Sequence, residues 1–482
     1  MRKLTNSLIL CALIAAPAAT AESTATGELD QLLENVAPIL AVPGAYHSDD
    51  EAIDGLEPLA LDLAGCVTRA LEQNAQVLVA ETEIAIREAQ TGQARSRRRP
   101  EVKAQWAYTY IDGLDSAIGR PAVRRLIGAD GYAPEKGTST TGLTVTQVLY
   151  AGGQIEAGIK ASTYLATSEG WRSEAVRTEI AYQARMAYHD ALLAHALENV
   201  ANEALTVFQR HLEDTEALES DGAVTPFEVL RAKTEVGARQ ADVAAAQSAA
   251  QLADLNLRRL LALPDGQPLT YDRNLPLESV DRTADELKAA AQQQRPELMA
   301  FADALAAGQQ QARVVKGKYL PQAAATVSWI NVENGGQVMP DGWQFSVGAQ
   351  WDLYLGGQRK HERGEARARI EGLRLQHADM ERLVALDVEQ SLIRLRESTV
   401  AMGTDQENVG LAEESVRLAK LRYQEGFGTQ TEIIDAALVH TQAKTALVQA
   451  IRDYYVAYAS LQKALGSDVV GTGEIQAIPV TE

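Results

Sequence analysis

The sequence predicts mixed α and β structure, built as two copies of one unit in which strand hairpins feed very long helices. Three observations carry that expectation. The hexapeptide LYAGGQ, Leu149 to Gln154, returns as LYLGGQ, Leu353 to Gln358, 204 residues later with five of six residues unchanged. Around each copy the hydrophobic pattern switches from a helical period to strict alternation and back. An export signal opens a chain in which no later stretch reaches the roughly 18 consecutive apolar residues of a membrane-spanning helix, so entry into a bilayer would have to be made by strands.

The chain opens MRKLTNSLILCALIAAPAATAES. Arg2 and Lys3 form a basic start, Leu8 to Ala16 an apolar core, and Ala19-Thr20-Ala21 a small-residue cleavage site, which predicts a signal peptide over 1–21. Cys11 lies inside the apolar core and reads as signal rather than as a lipid anchor. Residues 22–58 form an extension without an assignable role. Cleavage removes two positive charges and takes the formal net charge from −20 to −22. A nucleic-acid binder shows the opposite balance. Cys66 is the cysteine left, so no internal disulfide can form. Aromatics are 5% of the residues, which suits thinly packed helices better than a thick globular core.

The first unit, 59–265, begins with a helical pattern from Ala64 to Arg98, where Ala70, Val77 and Ile84 form one stripe and Leu71, Leu78 and Ala85 its neighbour. After Pro100 the pattern is that of a strand, with Trp106, Tyr108 and Tyr110 alternating with Gln105, Ala107 and Thr109. A turn-rich loop, 112–138, leads to a second strand, TGLTVTQVLY. Gly152 and Gly153 then let the backbone change direction into a helix of about 69 residues, roughly 100 Å long. A glycine turn at Gly222 reverses the chain into a returning helix, about Phe227 to Ala262.

A linker, 266–283, separates this unit from the second, 284–466, and a tail follows over 467–482. Pro100 corresponds to Pro321 at an offset of 221, whereas Gly222, Thr225 and Glu228 correspond to Gly426, Thr429 and Glu432 at 204, so the first loop holds 17 extra residues. In the second copy Trp343, Phe345, Val347, Ala349, Trp351 and Leu353 share one strand face, and Gly356 and Gly357 form the junction to the long helix. The leading and returning helices together match the long one in length, which predicts that they stack end to end beside it, with the linkers forming a belt near mid-length. An even number of strands returns the chain to its starting side, leaving loops 112–138 and 331–342 on the other.

Four strands per chain leave bare edges, which cannot face lipid. The smallest membrane barrels use about eight strands. Three chains would supply twelve and an open lumen, with the helices continuing the tube. The alternative is a soluble exported coiled-coil scaffold whose hairpins form a small sheet.

The signal peptide, the helix-Pro-strand entries at Pro100 and Pro321, the LYxGG junctions and the paired turns DGAVTPFEVL and EGFGTQTEII, all in order, resemble the TolC family of outer-membrane efflux and type I secretion ducts. The resemblance covers nearly all the mature chain. It implies a homotrimer with a twelve-stranded β-barrel in the outer membrane of a Gram-negative bacterium, continuous with a periplasmic α-helical coiled-coil barrel. It implies an exit duct, not an enzyme, that works with a periplasmic adaptor protein and an inner-membrane transporter. On this likeness Gly222, Thr225, Gly426 and Thr429 are adaptor-docking tips, while Glu432 and Asp435 ring the periplasmic entrance and Tyr423 helps to close it. The bland reading makes the glycines helix C-caps and the acids helix N-terminal residues favoured by the dipole. Two departures stand out: Val148 and Asp352 replace a proline common before the junction, and Gly428 replaces an arginine partner of the tyrosine.

The run Arg95, Arg97, Arg98, Arg99 is either a solvated helix end or a surface for anionic headgroups. The histidines show no i,i+4 pair, and His189 and His195 are six apart, which argues against a metal site. GFGTQT precedes no βαβ unit, so it is not a nucleotide loop. No catalytic constellation and no cofactor motif is present in the sequence.

Overall fold

The computed structural model describes residues 59–110 and 137–466, apart from 265, 273–279, 281, 335–336 and 339–341. The expected signal peptide, the extension 22–58, the tail 467–482 and all of loop 112–138 except its last two residues lie outside the described residues.

The leading helix of each unit is two helices, not the single one expected from Ala64 to Arg98. In the first unit these are α1 (Leu63–Gln73) and α2 (Ala75–Ser96). Asn74 between them is extended, with φ −69° and ψ 128°. Its carboxamide oxygen accepts the Gln76 N–H at 2.9 Å and its amide donates to the Leu260 carbonyl at 3.1 Å, so the break leaves a capped helix end tied to a distant element. The same break recurs 221 residues on, at Arg295 (φ −65°, ψ 118°), between α5 (Ala284–Gln294) and α6 (Pro296–Gly317). There Pro296 forces it, because the residue before a proline is pushed out of helical conformation.

The long helices α3 (Gln154–Ser220) and α7 (Gln358–Gln424) have 67 residues each and run unbroken. The returning helices are α4 (Pro226–Leu260) and α8 (Gln430–Leu465). Helices α1, α2 and α4 all lie along α3, and α5, α6 and α8 lie along α7. The two units meet where α3 packs on α6 and on α8.

Near mid-length, β1 (Leu59–Leu61) pairs in parallel with β4 (Leu269–Tyr271), which falls in the expected linker. Sequence pattern missed both, for each is three residues long. The buried Tyr188 pins them to α3, its hydroxyl 2.6 Å from the Asp272 carbonyl oxygen and 3.3 Å from that of Leu61. Beneath lies one apolar core, with Ala70, Val77, Ile180, Leu257 and Leu261. The second unit has its own, built on Leu287, Val384, Val388, Leu447 and Leu461.

The sheet at the far end contains β2 (Glu101–Tyr110), β3 (Gly137–Ala151), β5 (Gln322–Asn334), β6 (Gln337–Val338) and β7 (Gly342–Gln350). All pairs are antiparallel, in the order β2-β3-β5-β7, with β6 also on β5. Much of the expected loop 331–342 is therefore strand, because β5 continues to Asn334 and β6 folds back on it. Strand β7 ends at Gln350, so Trp351 and Leu353 lie beyond it; the Trp351 indole instead donates to the Tyr319 carbonyl at 3.2 Å. Across the sheet, Ala104, Leu143, Trp329 and Trp343 form one row and Val102, Val145, Val327 and Phe345 another on the same face. The opposite face carries the rows Lys103, Thr144, Ser328, Gln344 and Glu101, Thr146, Thr326, Ser346. Strands β2 and β7 leave the two outer edges unpaired among the described residues.

Both sequence offsets hold in the hydrogen bonding. Glu101 faces Thr146 in the first hairpin, and Gln322 faces Gln350 in the second, shifted by 221 and 204. Likewise Gln147 donates to the Arg98 carbonyl as Trp351 does to that of Tyr319.

Candidate functional site

Two regions gather the residues singled out in the sequence: the helical tip and the strand-helix junctions. At the tip each long helix ends on a glycine with positive φ, +73° at Gly222 and +76° at Gly426. There the Ala223 N–H closes back on the Leu218 carbonyl at 2.8 Å, and the Phe427 N–H on that of Arg422 at 2.8 Å. These are C-caps that need the left-handed conformation. The returning helices start with caps of related chemistry. Thr225 N–H donates to the Glu228 carboxylate at 3.2 Å, and the Thr429 hydroxyl accepts the Glu432 N–H at 3.3 Å. Thus Thr225, Thr429 and Glu228 have local capping partners.

The sequence did not reveal that the two turns are tied side by side. Arg231 donates to the Thr431 hydroxyl at 2.8 Å, and the Gln430 amide to the Glu228 carbonyl at 3.2 Å. Glutamine and arginine at helix starts carry no pattern that announces such a bridge. The tied turns present two exposed rings, Phe227 and Phe427.

Glu432 is not a free acid. Its carboxylate lies 3.4 Å from the Arg422 guanidinium, which comes from the end of α7. Gly428 has a reason of its own: a Cβ there would stand 2.9 Å from the Tyr423 nitrogen and 3.1 Å from Arg422, so only glycine lets the turn close. Asp435 is exposed, one turn further along α8. Tyr423 faces His211 of α3 across a 6.4 Å edge-on ring contact. The Tyr423 hydroxyl and His211 Nε2 are both buried without a hydrogen-bond partner among the described residues. Burial raises the tyrosine pKa, helped by Glu228 and Asp214, and lowers that of His211 against the opposing pull of Asp214. The structure therefore brings Tyr423 to a histidine that the sequence did not single out.

Above the tip, α3 and α8 are joined by three ion pairs: Glu203–Lys444 at 2.6 Å, Asp190–Arg452 at 2.7 Å and Glu179–Lys463 at 2.6 Å. His189, buried between the same helices, stacks on Tyr455 with centroids 4.7 Å apart. Burial, with Arg452 and Arg185 nearby, pushes its pKa down to about 3.

At the junctions, Gly152, Gly153, Gly356 and Gly357 all have positive φ. The two copies differ in surroundings. A Cβ on Gly152 would collide with the Gly317 carbonyl of α6 and with Leu320, whereas Gly356 faces open space. Among the described residues no group of three or more His, Cys, Asp or Glu could hold a metal ion, and no helix is long and apolar enough to cross a membrane.

Residues 66–263 and 287–467 match the family described as outer membrane efflux protein. Over 432 residues the chain is 21% identical to the outer membrane efflux protein BepC of Brucella suis, covering 88% of this chain and 90% of BepC. Its fold is similar to the CmeC outer membrane channel of Campylobacter jejuni, with a TM-score of 0.72, 16% identity, and coverage of 88% of this chain and 93% of CmeC. It is similar too to the open state of the MtrE outer membrane channel of Neisseria gonorrhoeae, with a TM-score of 0.69, 17% identity, and coverage of 88% and 95% respectively.

Proposed function

The chain belongs to the outer membrane efflux protein family, and from that premise we propose how its own residues build and gate a duct. It is an outer-membrane exit duct, with strands in the membrane and helices in the periplasm. Passage is passive and powered by an inner-membrane transporter through a periplasmic adaptor.

Three copies close the barrel. The observation that carries this is the sheet itself: a face that is apolar toward the helices, in the rows of Val102 and Ala104, with four full-length strands and two unpaired edges among the described residues. Such a sheet can neither sit in lipid alone nor stay soluble with Trp106, Trp343, Phe345 and Val347 exposed. The internal repeat supports the way the edges join. Within the chain β3 pairs with β5, Val145 opposite Val327. Adding 204 to the first and subtracting 221 from the second places Ala349 of β7 opposite Trp106 of β2 in the next copy. The open space at Gly356 has the same explanation. Gly152 nests on Gly317, so Gly356 would nest on the matching residue, Ser96, of the neighbour.

The tied turns, with Gly222, Thr225, Gly426 and Thr429 shaping them and Phe227 and Phe427 exposed, are the adaptor-docking tip. Glu432, Asp435 and Tyr423 form the entrance: with threefold repetition the acids ring the opening, while Tyr423 packs on His211 to hold α7 against α3. Both termini lie in the periplasm. The test is the mass of the purified protein in mild detergent, expected to be that of a trimer. A compact monomer with its strand signal intact would overturn the closure.

A further inference from the structure

We propose that the junction between strands and helices carries a cationic girdle that binds anionic phospholipid headgroups of the periplasmic leaflet. This rests on the barrel reading above. In a chain of net charge −20, positive residues collect at one level. Arg95, Arg97, Arg98 and Arg99 lie at the end of α2, and Lys316 and Lys318 occupy the positions matching Arg95 and Arg97 in the second unit, 221 residues on. All six are exposed. The side chains of Arg95, Arg97, Arg99 and Lys316 have no hydrogen-bond or ion-pair partner among the described residues. Arg98 reaches only Glu156, at 3.8 Å with both side chains 58% exposed.

The acids of the same level are already engaged. Glu101 pairs with Lys103 at 3.1 Å, Glu362 with Lys318 at 3.5 Å, and Asp352 accepts from Gln350 at 3.1 Å. Arg98 and Lys318 share their charge with Glu156 and Glu362, while Arg95, Arg97, Arg99 and Lys316 leave a positive surplus without an acidic partner among the described residues. A dipole at the end of α2 accounts for one or two cations within a turn, not for matching cations in both units.

Height selects the partner. The ten described residues of β2, at ~3.3 Å per residue and a tilt of about 40°, already cover roughly 25 Å, enough to cross the apolar band of an outer-membrane barrel. Its apolar face starts at Val102, three residues past Arg99. At the same level Leu149, Tyr150, Trp351, Leu353 and Tyr354 are exposed, the residue types of an interfacial aromatic belt. Arginines just below such a belt meet phosphates. The hydrogen bonds to the Arg98 and Tyr319 carbonyls come from Gln147 and Trp351. Gln147 alternates in register with Val145 and Leu143, which places these helix ends beside the apolar face of the sheet.

The test measures tryptophan quenching by brominated lipids in vesicles of the full-length protein, with the barrel residues Trp106, Trp329 and Trp343 as reporters. Brominated phosphatidylglycerol should associate more tightly than brominated phosphatidylcholine, by on the order of fivefold for each cation engaged. Near 1 M salt this preference should collapse. The combined Arg97→Gln, Arg98→Gln and Arg99→Gln variant should lose most of it, and the same three positions as lysine should keep it. Conductance in a phosphatidylcholine bilayer shows separately that each variant forms a channel, so loss of the duct is not confused with loss of lipid preference. Equal association of the two lipids with the wild type, or an undiminished preference in a conducting glutamine variant, would overturn the proposal. So would arginine-dependent binding to isolated cell wall without any lipid preference.

Discussion

A disulfide across the subunit seam tests the closure of the barrel at the level of single residues. The register transferred from β3 and β5 sets Ala349 opposite Trp106, and Gly348 opposite Ala107, of the next copy. Directly opposed residues on antiparallel strands have Cα atoms about 4.5 to 5.5 Å apart, inside the roughly 4.4 to 6.8 Å that a disulfide spans. Moving one partner four residues along, from Trp106 to Tyr110, adds about 13 Å and puts it out of reach. Adjacent pairs alternate between hydrogen-bonded and open geometry, so one of the two proposed pairs has the closer contact. Gly348 tolerates the change because a Cβ there meets nothing within 4 Å. Background is low, since burial pushes the Cys66 thiol up to about 12 and keeps it from forming the reactive thiolate. Mild oxidation of Ala349→Cys with Trp106→Cys, or of Gly348→Cys with Ala107→Cys, should yield a reducible covalent trimer on denaturing gels. The Ala349→Cys with Tyr110→Cys control should stay monomeric. Cross-linking in the control, or in neither test pair while the protein still conducts, would refute the transferred register.

Three further outcomes follow from the helical part. In planar bilayers Asp435→Ala should weaken cation preference and periplasmic block by a trivalent cation more than Glu432→Ala does, because Arg422 already offsets Glu432; equal or absent effects would remove these acids from the mouth. His189, neutral when buried, has a folded pKa below its unfolded value near 6.5. Its contribution is therefore complete above about pH 6.5 and lost at about 1.4 kcal/mol per pH unit as pH falls toward 3. Melting temperatures should accordingly drop less between pH 7 and pH 5 in His189→Phe than in the wild type, and parallel curves would refute the assignment. Gly152→Ala should impair folding of the single chain, for it adds a backbone collision to the cost of about 1–2 kcal/mol for a left-handed alanine. Gly356→Ala should leave the chain folded but reduce the heat-resistant trimer on gels, and an unchanged trimer yield would place no neighbour there.

The tip shows how far local sequence can be followed. Gly222 and Gly426 were legible as turns, because a left-handed cap between two long helical patterns selects glycine whatever surrounds it. The bridge from Arg231 to Thr431 was not legible, because its partners lie 200 residues apart and each is an ordinary helix residue taken alone. Gly428 read in the sequence as a lost arginine. In the structure it is the residue that lets the turn close on Arg422, and that arginine takes up Glu432 from another helix.

By itself the sequence determined the duplication, the two offsets, the alternation that gives the strands two unlike faces, and the glycine junctions that start the 67-residue helices. Period and turn chemistry are local, set by residues within a few positions of one another, and the duplication is read by comparing such local segments without knowing any contact between them. Tertiary structure decided the break at Asn74, which no proline marks, and what the linker does, and it tied down the break that Pro296 imposes at Arg295. Asn74 interrupts its helix while bonded to a carbonyl 186 residues away, and Arg295 holds a carbonyl 168 residues away. Strands β1 and β4 exist only as each other's partner, since three residues have no period to read and gain their hydrogen bonds solely by meeting.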